Sequence, residues 1–303
     1  MSKSSATPYF QTMSAIPPQP QPSQAPPSLA TPTQDAEPTS TKTSIFPKPR
    51  LRLELRDVCH KSTSHFLKNF DSSKDFAELV ETVLTRLYSI PDHKDVSTTG
   101  PIPAHTMIPG TRSVTLILRD MDGVAYTTGT DLDSDHKEIH LSLSYLNHVA
   151  SQKPGYSART EILGVVCHEL VHCFQWNGNG TCNGGLIEGI ADWVRLNAGY
   201  IPPHWKREAG KSWDSGYQNT GYFLDWIEKS RGIGSVYKIN QALCNKEYKN
   251  DKFWDHLFGS DVGSLWKEYA ESLKKSKEEE SDSYGDPNLK MQIRIKKEVE
   301  GHD

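Results

Sequence analysis

Two histidines and a glutamate interrupt a run of apolar residues near the middle of the chain, in the His-Glu-Leu-Val-His motif of residues 168–172. On an α-helix, residues four positions apart lie one turn apart and about 40° apart around the axis. Both imidazoles and the neighbouring carboxylate would therefore lie on one side of a helix. Because the flanking residues 164–167 are largely apolar, this helix is predicted to be mostly buried. Burying three polar groups together is costly without a partner, so the motif indicates a bound cation.

A second acidic pair follows the motif at a spacing that suits the same site. Glu188 lies sixteen residues after His172, and Asp192 lies four residues after Glu188 in an otherwise apolar stretch. Glu188 and Asp192 would therefore share one face of a second helix. The glycine-rich segment 178–185 is predicted to reverse the chain, so that this helix packs against the first. The sequence thus predicts that His168, His172 and Glu188 bind one Zn²⁺ per chain.

The other polar residues near this site are predicted to have supporting roles. Asp192 is predicted to accept a hydrogen bond from the far nitrogen of a ligand histidine, which fixes its tautomer. Glu169 is not a ligand in such a set, and it is predicted to accept a proton from water at the metal. A developing oxyanion needs a further donor, for which Tyr217 is the catalytic candidate. His204 is a candidate for substrate or oxyanion contact. A packing role is the alternative for both of these side chains.

Proline is concentrated at the start of the chain, where residues 1–50 hold 11 of the 19 prolines together with 8 serines and 7 threonines. Such a segment has too few apolar residues to offset the entropy of ordering it. Residues 1–46 are therefore predicted to be a disordered arm, either without specific function or with an SH3- or WW-type partner at residues 16–20. Residues 274–303 begin with a charge run and are predicted to be a charged, disordered tail. Residues 47–273 remain as the folded domain.

Apolar periodicity divides this domain into two halves. Residues 50–56, 113–118 and 138–143 alternate or are rich in β-branched residues, which predicts strands, and residues 73–90 show helical spacing. Helical patterns dominate from residue 158 onward. This order predicts an α+β fold in which an N-terminal mixed sheet with a helix precedes a mainly helical half. Residues 138–143 are a candidate edge strand for pairing with an extended substrate, with a purely structural strand as the alternative.

Charge and hydropathy argue against several classes of function. The net charge of −4 and the pI of about 6.3 argue against nucleic-acid binding through phosphate attraction. No stretch approaches the roughly 20 apolar residues of a membrane span, so no membrane partner is expected. The first thirty residues lack the apolar core of a secretory signal peptide. This predicts a cytoplasmic location, with unconventional secretion as the alternative.

Together, these motifs resemble the plant and fungal basic secretory protein family of gluzincin-like zinc metallopeptidases. Besides the motif at 168–172, the resemblance rests on five segments: MDGVAYTTG at 121–129, DHKEIH at 135–140, GLIEGIADWVR at 185–195, YIPPHW at 200–205 and WDSGY at 213–217. The resemblance covers roughly residues 48–273. It implies a metallopeptidase-like domain with a zincin active site in the helical half, zinc ligands at His168, His172 and Glu188, and a peptide or protein substrate. This chain differs from secreted members in being mildly acidic rather than basic.

Two functions are consistent with such a site. In the first, the protein is a zinc metallopeptidase, in which Glu169 assists the attack of zinc-bound water on a peptide bond. In the second, it is a zinc-stabilised binding or defence-related protein with little or no turnover. Both functions need His168, His172 and Glu188 as ligands, but only the first needs Glu169 as an acid–base group.

Overall fold

The structure, a computed structural model of the chain, describes residues 46–91, 100–152, 157–210 and 212–284. Within these ranges the elements are, in order, β1 (Arg50–Leu55), α1 (Lys61–Asn69), α2 (Asp75–Tyr88), β2 (Ser113–Arg119), β3 (Ala125–Thr130), β4 (Asp133–Ser142), α3 (Leu143–Ala150), α4 (Ala158–Phe174), α5 (Gly184–Asn197), α6 (Tyr217–Arg231), α7 (Ser235–Ala242), α8 (Asn250–Phe258) and α9 (Val262–Tyr284). Residues 1–45 of the predicted arm, with its SH3- or WW-type segment, and residues 285–303 of the predicted tail lie outside the described residues. Phe46, which the prediction also assigned to the disordered arm, is instead buried in the core.

The strands form one mixed sheet in the order β1-β2-β4-β3. β1 and β4 both run parallel to β2, whereas β3 runs antiparallel to β4 and lies at one edge. Parallel neighbours need a crossover connection, and α1 and α2 lie in the connection between β1 and β2. The chain after β4 forms only helices in its described part. The predicted α+β class, with a mixed sheet followed by a mainly helical half, is confirmed.

Three elements of the N-terminal half were not predicted from the sequence. α1 has few buried residues, the strand β3 is mostly polar, and α3 follows β4 without a break. Residues 138–143 were a candidate edge strand with a purely structural strand as the alternative, and the structure agrees with the alternative. β4 pairs with β2 on one side and with β3 on the other. The edge beside β4 is instead the polar strand β3.

α4 is the central helix of the fold. It begins after Ser157, whose hydroxyl accepts a hydrogen bond of 3.1 Å from the backbone N–H of Thr160. Thirteen of its seventeen residues are buried, as expected for a helix that is covered on all sides. α4 packs against α2 and α5, and it also contacts β3 and β4. Residues 168–172 of α4 therefore lie next to both the sheet and the second helix of the predicted site.

α5 and α6 pack at very close range because each has a glycine at their contact. A Cβ atom at Gly189 would lie 2.2 Å from Thr220 Cγ2, and one at Gly221 would lie 3.2 Å from Asp192 Cβ. The two backbones approach more closely than larger side chains would permit. Since Glu188 directly precedes Gly189, this contact positions the acidic residues of α5.

Gly189→Ala is expected to destabilise the protein by about 1–3 kcal/mol, the usual effect of overpacking a core. Gly184→Ala is the matched control, because Gly184 begins the same helix and a Cβ there would meet no atom within 4 Å. The control should be neutral or stabilising by up to about 1 kcal/mol, since alanine is the better helix former. Chemical denaturation measures both variants, and equal denaturation midpoints would contradict the close helix contact.

The last helix extends further than the apolar periodicity predicts. α9 continues to Tyr284, so residues 274–284 are helical and do not begin a disordered tail at 274. The apolar contacts of α9 with the core end at Leu273. Lysine and glutamate are good helix formers, which explains why the helix continues beyond its packed part. None of the helices in the described part of the chain has the length and apolar character needed to cross a membrane.

Candidate metal centre

The facing sides of α4 and α5 bring the three predicted ligands to one point. His168 Nε2 lies 3.2 Å from His172 Nε2 and 3.1 Å from Glu188 Oε2. His172 Nε2 lies 3.7 Å from Glu188 Oε1. Ligand atoms at zinc-bond distances of about 2.0–2.2 Å lie about 3.3–3.6 Å apart in a tetrahedral site. The three side chains therefore have nearly the spacing of a zinc ligand set. Within the described ranges, no second group of three histidine, cysteine or acidic side chains has this arrangement.

Asp192 lies behind His168, at the position that its spacing from Glu188 predicts. Its Oδ1 accepts a hydrogen bond of 2.7 Å from His168 Nδ1, and the residue is buried. A carboxylate at this position keeps the proton on Nδ1, so that the lone pair of Nε2 points toward the other two ligands. Asp192 thus orients one of the two candidate ligand histidines from one turn beyond Glu188.

Gln175 lies behind His172 and was not identified from the sequence. Its side-chain nitrogen lies 2.7 Å from His172 Nδ1, while its Oε1 is buried without a hydrogen-bond partner. The amide group is nearly symmetric in shape, so a 180° rotation lets Oε1 accept the N–H of Nδ1. The rotation provides a partner for the buried oxygen and directs the Nε2 lone pair of His172 toward the centre. Gln175 follows His172 by three residues, and this helical spacing was the sequence signal for it.

Three acceptor atoms that face one another need a positive charge between them. Burial lowers the pKa of His168, but its hydrogen bonds with Asp192 and Glu188 outweigh burial and raise the pKa to about 10. Burial and the charge of His168 lower the pKa of His172 to about 4. Burial also opposes the ionisation of Glu188, yet its hydrogen bond with His168 lowers its pKa. In the metal-free chain, a proton on His168 thus supplies part of the positive charge that a divalent cation would supply. The donor set fits zinc in both spacing and charge.

Glu169 lies beside the ligands and lines the cleft in front of them. Its Oε2 accepts a hydrogen bond of 2.7 Å from the hydroxyl of Thr127 on β3. Burial raises the pKa of Glu169, while the charge of His168 and the Thr127 hydroxyl oppose this rise. Thr127 has no role predicted from the sequence, although the residue lies within the segment 121–129 that carries the family resemblance.

The cleft has a volume of about 1090 Å³, and Tyr217 lies on its rim. Tyr217 is the first residue of α6 and is 60% exposed, with its ring centroid 6.2 Å from that of His168. Its φ of 47° is a strained conformation for a residue with a side chain, and such strain is often found at functional sites. The charge of Glu188, followed by burial, raises the pKa of Tyr217. The phenol therefore stays protonated and able to donate a hydrogen bond.

His204 also lines the cleft, but it is exposed and makes no hydrogen bond with the described residues. Its neighbour Trp205 is held more firmly, because the Arg195 guanidinium lies 5.3 Å from the centre of the Trp205 ring. Arg195 also forms a buried ion pair of 3.0 Å with Glu161, and both of these residues line the cleft. Tyr217 thus lies beside the candidate ligands, and His204 is exposed on the lining of the cleft.

The chain matches a known protein family. The sequence model of the BSP family, described as peptidase of plants and bacteria, matches residues 48–269. This range contains all the elements from β1 to α8 and every residue of the candidate centre. No curated protein and no solved structure gives a significant match. The chain therefore belongs to the BSP family of peptidases of plants and bacteria, the basic secretory protein family that its motifs resemble.

Proposed function

We propose that the protein is a zinc-dependent metallopeptidase that binds one Zn²⁺ through His168, His172 and Glu188. The observation that carries the proposal is the convergence of three ligand atoms within 4.8 Å of one another. Both histidines are also oriented from behind, by Asp192 and Gln175. Two imidazoles and a carboxylate suit zinc better than calcium or magnesium, which prefer oxygen ligands. Membership of a peptidase family supports hydrolysis of peptide bonds as the reaction.

Zinc, when bound, supplies Lewis acidity that lowers the pKa of a water molecule and polarises a carbonyl group. Glu169 is the residue that accepts a proton from the attacking water and donates it to the leaving amine. Burial raises the pKa of Glu169, which brings the carboxyl group closer to the pKa that suits a proton shuttle near neutral pH. The Thr127 hydroxyl holds the carboxylate on the cleft side of α4, beside the ligands.

The cleft also offers groups for binding the substrate. Tyr217 is proposed to donate its phenolic hydrogen to the oxyanion that develops at the carbonyl. His204, exposed in the same cleft, is proposed to contact the substrate. β3 pairs only with β4 among the described strands, so its other edge is available. An extended peptide can add to such an edge through main-chain hydrogen bonds. The proposed substrate is therefore a peptide or protein segment in an extended conformation.

Metal analysis together with an activity assay tests the proposal. The purified protein is expected to contain about one zinc per chain, and a chelator is expected to abolish hydrolysis of a mixed peptide library. Added Zn²⁺ should restore the activity, whereas Mg²⁺ and Ca²⁺ should not. The proposal fails if the protein contains no zinc after mild purification and takes up none on reconstitution. Bound zinc without turnover would favour a zinc-stabilised binding or defence-related protein.

A further inference from the structure

We infer that Thr127 is a positioning residue that holds the Glu169 carboxylate in the orientation needed for proton transfer, an inference that rests on the proposed function. Thr127 lies on β3, the edge strand that lines the cleft. Its hydroxyl oxygen lies 2.7 Å from Glu169 Oε2 and 3.0 Å from the backbone oxygen of Glu169. One hydroxyl on the sheet thus contacts both the side chain and the main chain of a single residue on α4.

The pleat of the strand makes this contact specific to Thr127. Thr127 pairs with Ile139 of β4, which is fully buried in the core beneath the helices. Thr128, the next residue, is exposed and points to the opposite face of the sheet. Ala125 and Gly129 share the face of Thr127, but neither has a side-chain hydrogen-bonding group. Thr127 is therefore the β3 residue that can donate a hydrogen bond to the carboxylate.

The Glu169 carboxylate depends on the Thr127 hydroxyl, because the carboxylate is buried and the glutamate side chain has several rotamers. Glu169 is only 6% exposed, and its Oε2 is the oxygen that accepts the Thr127 hydrogen bond. Oε1 accepts no hydrogen bond from the described residues, so this oxygen remains available to a water molecule in the cleft. A shift of about 1 Å in a catalytic group can reduce the rate about 100-fold. A single hydroxyl at this point is therefore expected to affect turnover strongly.

The same contact links the acid–base group to the strand that is proposed to bind the substrate. A peptide added to the edge of β3 takes its register from the main chain of that strand. Thr127 joins this main chain to the helix that carries Glu169. The metal ligands have their own orienting partners, Asp192 and Gln175. Loss of the Thr127 hydroxyl should therefore impair proton transfer without releasing the metal.

Thr127→Val removes the hydroxyl and keeps nearly the same shape. The variant is expected to retain zinc and KM and to lose about 10–100-fold in kcat, whereas Thr127→Ser should recover most of the loss. Thr111→Val is the matched control, because Thr111 is buried and its hydroxyl donates a hydrogen bond of 2.7 Å to the backbone oxygen of Cys173 on the same helix. The control removes a similar hydrogen bond to α4 without affecting the carboxylate, so it should keep the wild-type kcat.

A second measurement needs neither zinc nor substrate. In the metal-free protein, Thr127→Val should raise the unfolding equilibrium constant about 10-fold, as expected for losing a hydrogen bond to a charged group. In a Glu169→Ala background the same change should have a much smaller effect, because the side-chain contact is already absent. This double-mutant cycle thus separates the contact of Thr127 with the Glu169 carboxylate from its contact with the Glu169 backbone oxygen.

Four results would overturn the inference: equal stability effects in both backgrounds, an unchanged kcat in Thr127→Val, a kcat loss of the same size in Thr111→Val, or loss of zinc from Thr127→Val. A wild-type protein without zinc or turnover would overturn the proposed function instead. In that case the metal-free cycle still decides whether Thr127 holds the Glu169 carboxylate.

Discussion

Glu169→Gln is expected to retain zinc and the fold while reducing peptide hydrolysis by at least about 10²–10⁴-fold, the usual contribution of general acid–base catalysis. Glu169 lies outside the group of converging ligands, His168, His172 and Glu188, so the metal should stay bound. The amide has nearly the shape of the carboxylate, and its oxygen can still accept the hydrogen bond of Thr127. What the variant lacks is a group that accepts a proton from water and returns it to the leaving amine.

Zinc content, thermal unfolding and turnover of a peptide library together test this prediction. Glu78→Gln is a suitable control, since it makes the same chemical change at an exposed position on α2, where the Glu78 side chain forms a long surface ion pair with Lys74. This control should retain wild-type activity. If the wild type and Glu169→Gln show the same trace activity with zinc in place, the peptidase proposal is wrong. The protein is then better described as a zinc-stabilised binding protein.

His172→Ala is expected to abolish both zinc binding and hydrolysis. Loss of a partner that merely orients a ligand typically reduces metal affinity about 10–100-fold, and loss of the ligand itself should reduce it further. The fold should survive, because the His172 side chain is partly exposed and lies at the edge of the cleft. His168→Ala is a less suitable variant, since it would leave the buried Asp192 carboxylate without its hydrogen-bond donor.

His256→Ala on α8 is the control for this experiment, because His256 is exposed and lies outside the cleft lining. Calorimetric titration of zinc into the metal-free proteins measures the affinity of each variant. The control should bind zinc like the wild type. If His172→Ala took up one zinc with unchanged affinity, the assignment of the ligands would have to be abandoned.

The convergence of the candidate ligands could be predicted because it depends on short-range spacing. His168 and His172 share one helix, and Glu188 follows after a single chain reversal, so helix geometry alone places them near one another. Thr127 could not be predicted in this way. It meets Glu169 only because a polar edge strand pairs with β4 and packs against α4, a contact that spans 42 residues of sequence.

The same contrast between local and long-range signals applies to the fold. From residue 158 onward, where helical patterns were predicted to dominate, the described elements α4 to α9 are all helices. β3 has no such repeat, because its residues are mainly threonine and glycine at an exposed edge. Beyond Leu273, α9 has helix-forming residues but no apolar face. Apolar periodicity in a sequence reflects burial. The apolar pattern therefore ends before α9 does.

The glycine contact between α5 and α6 has a consequence for attempts to redesign the cleft. With Gly189 and Gly221 at the contact, no layer of flexible side chains separates the two backbones, so the helices behave as one stiff unit. Glu188 lies on the first of these helices and Tyr217 begins the second. A substitution that widened the cleft on this side would therefore displace a proposed metal ligand together with the phenol. Laboratory evolution toward new substrates should accept changes more readily around the exposed His204 than along the two paired helices.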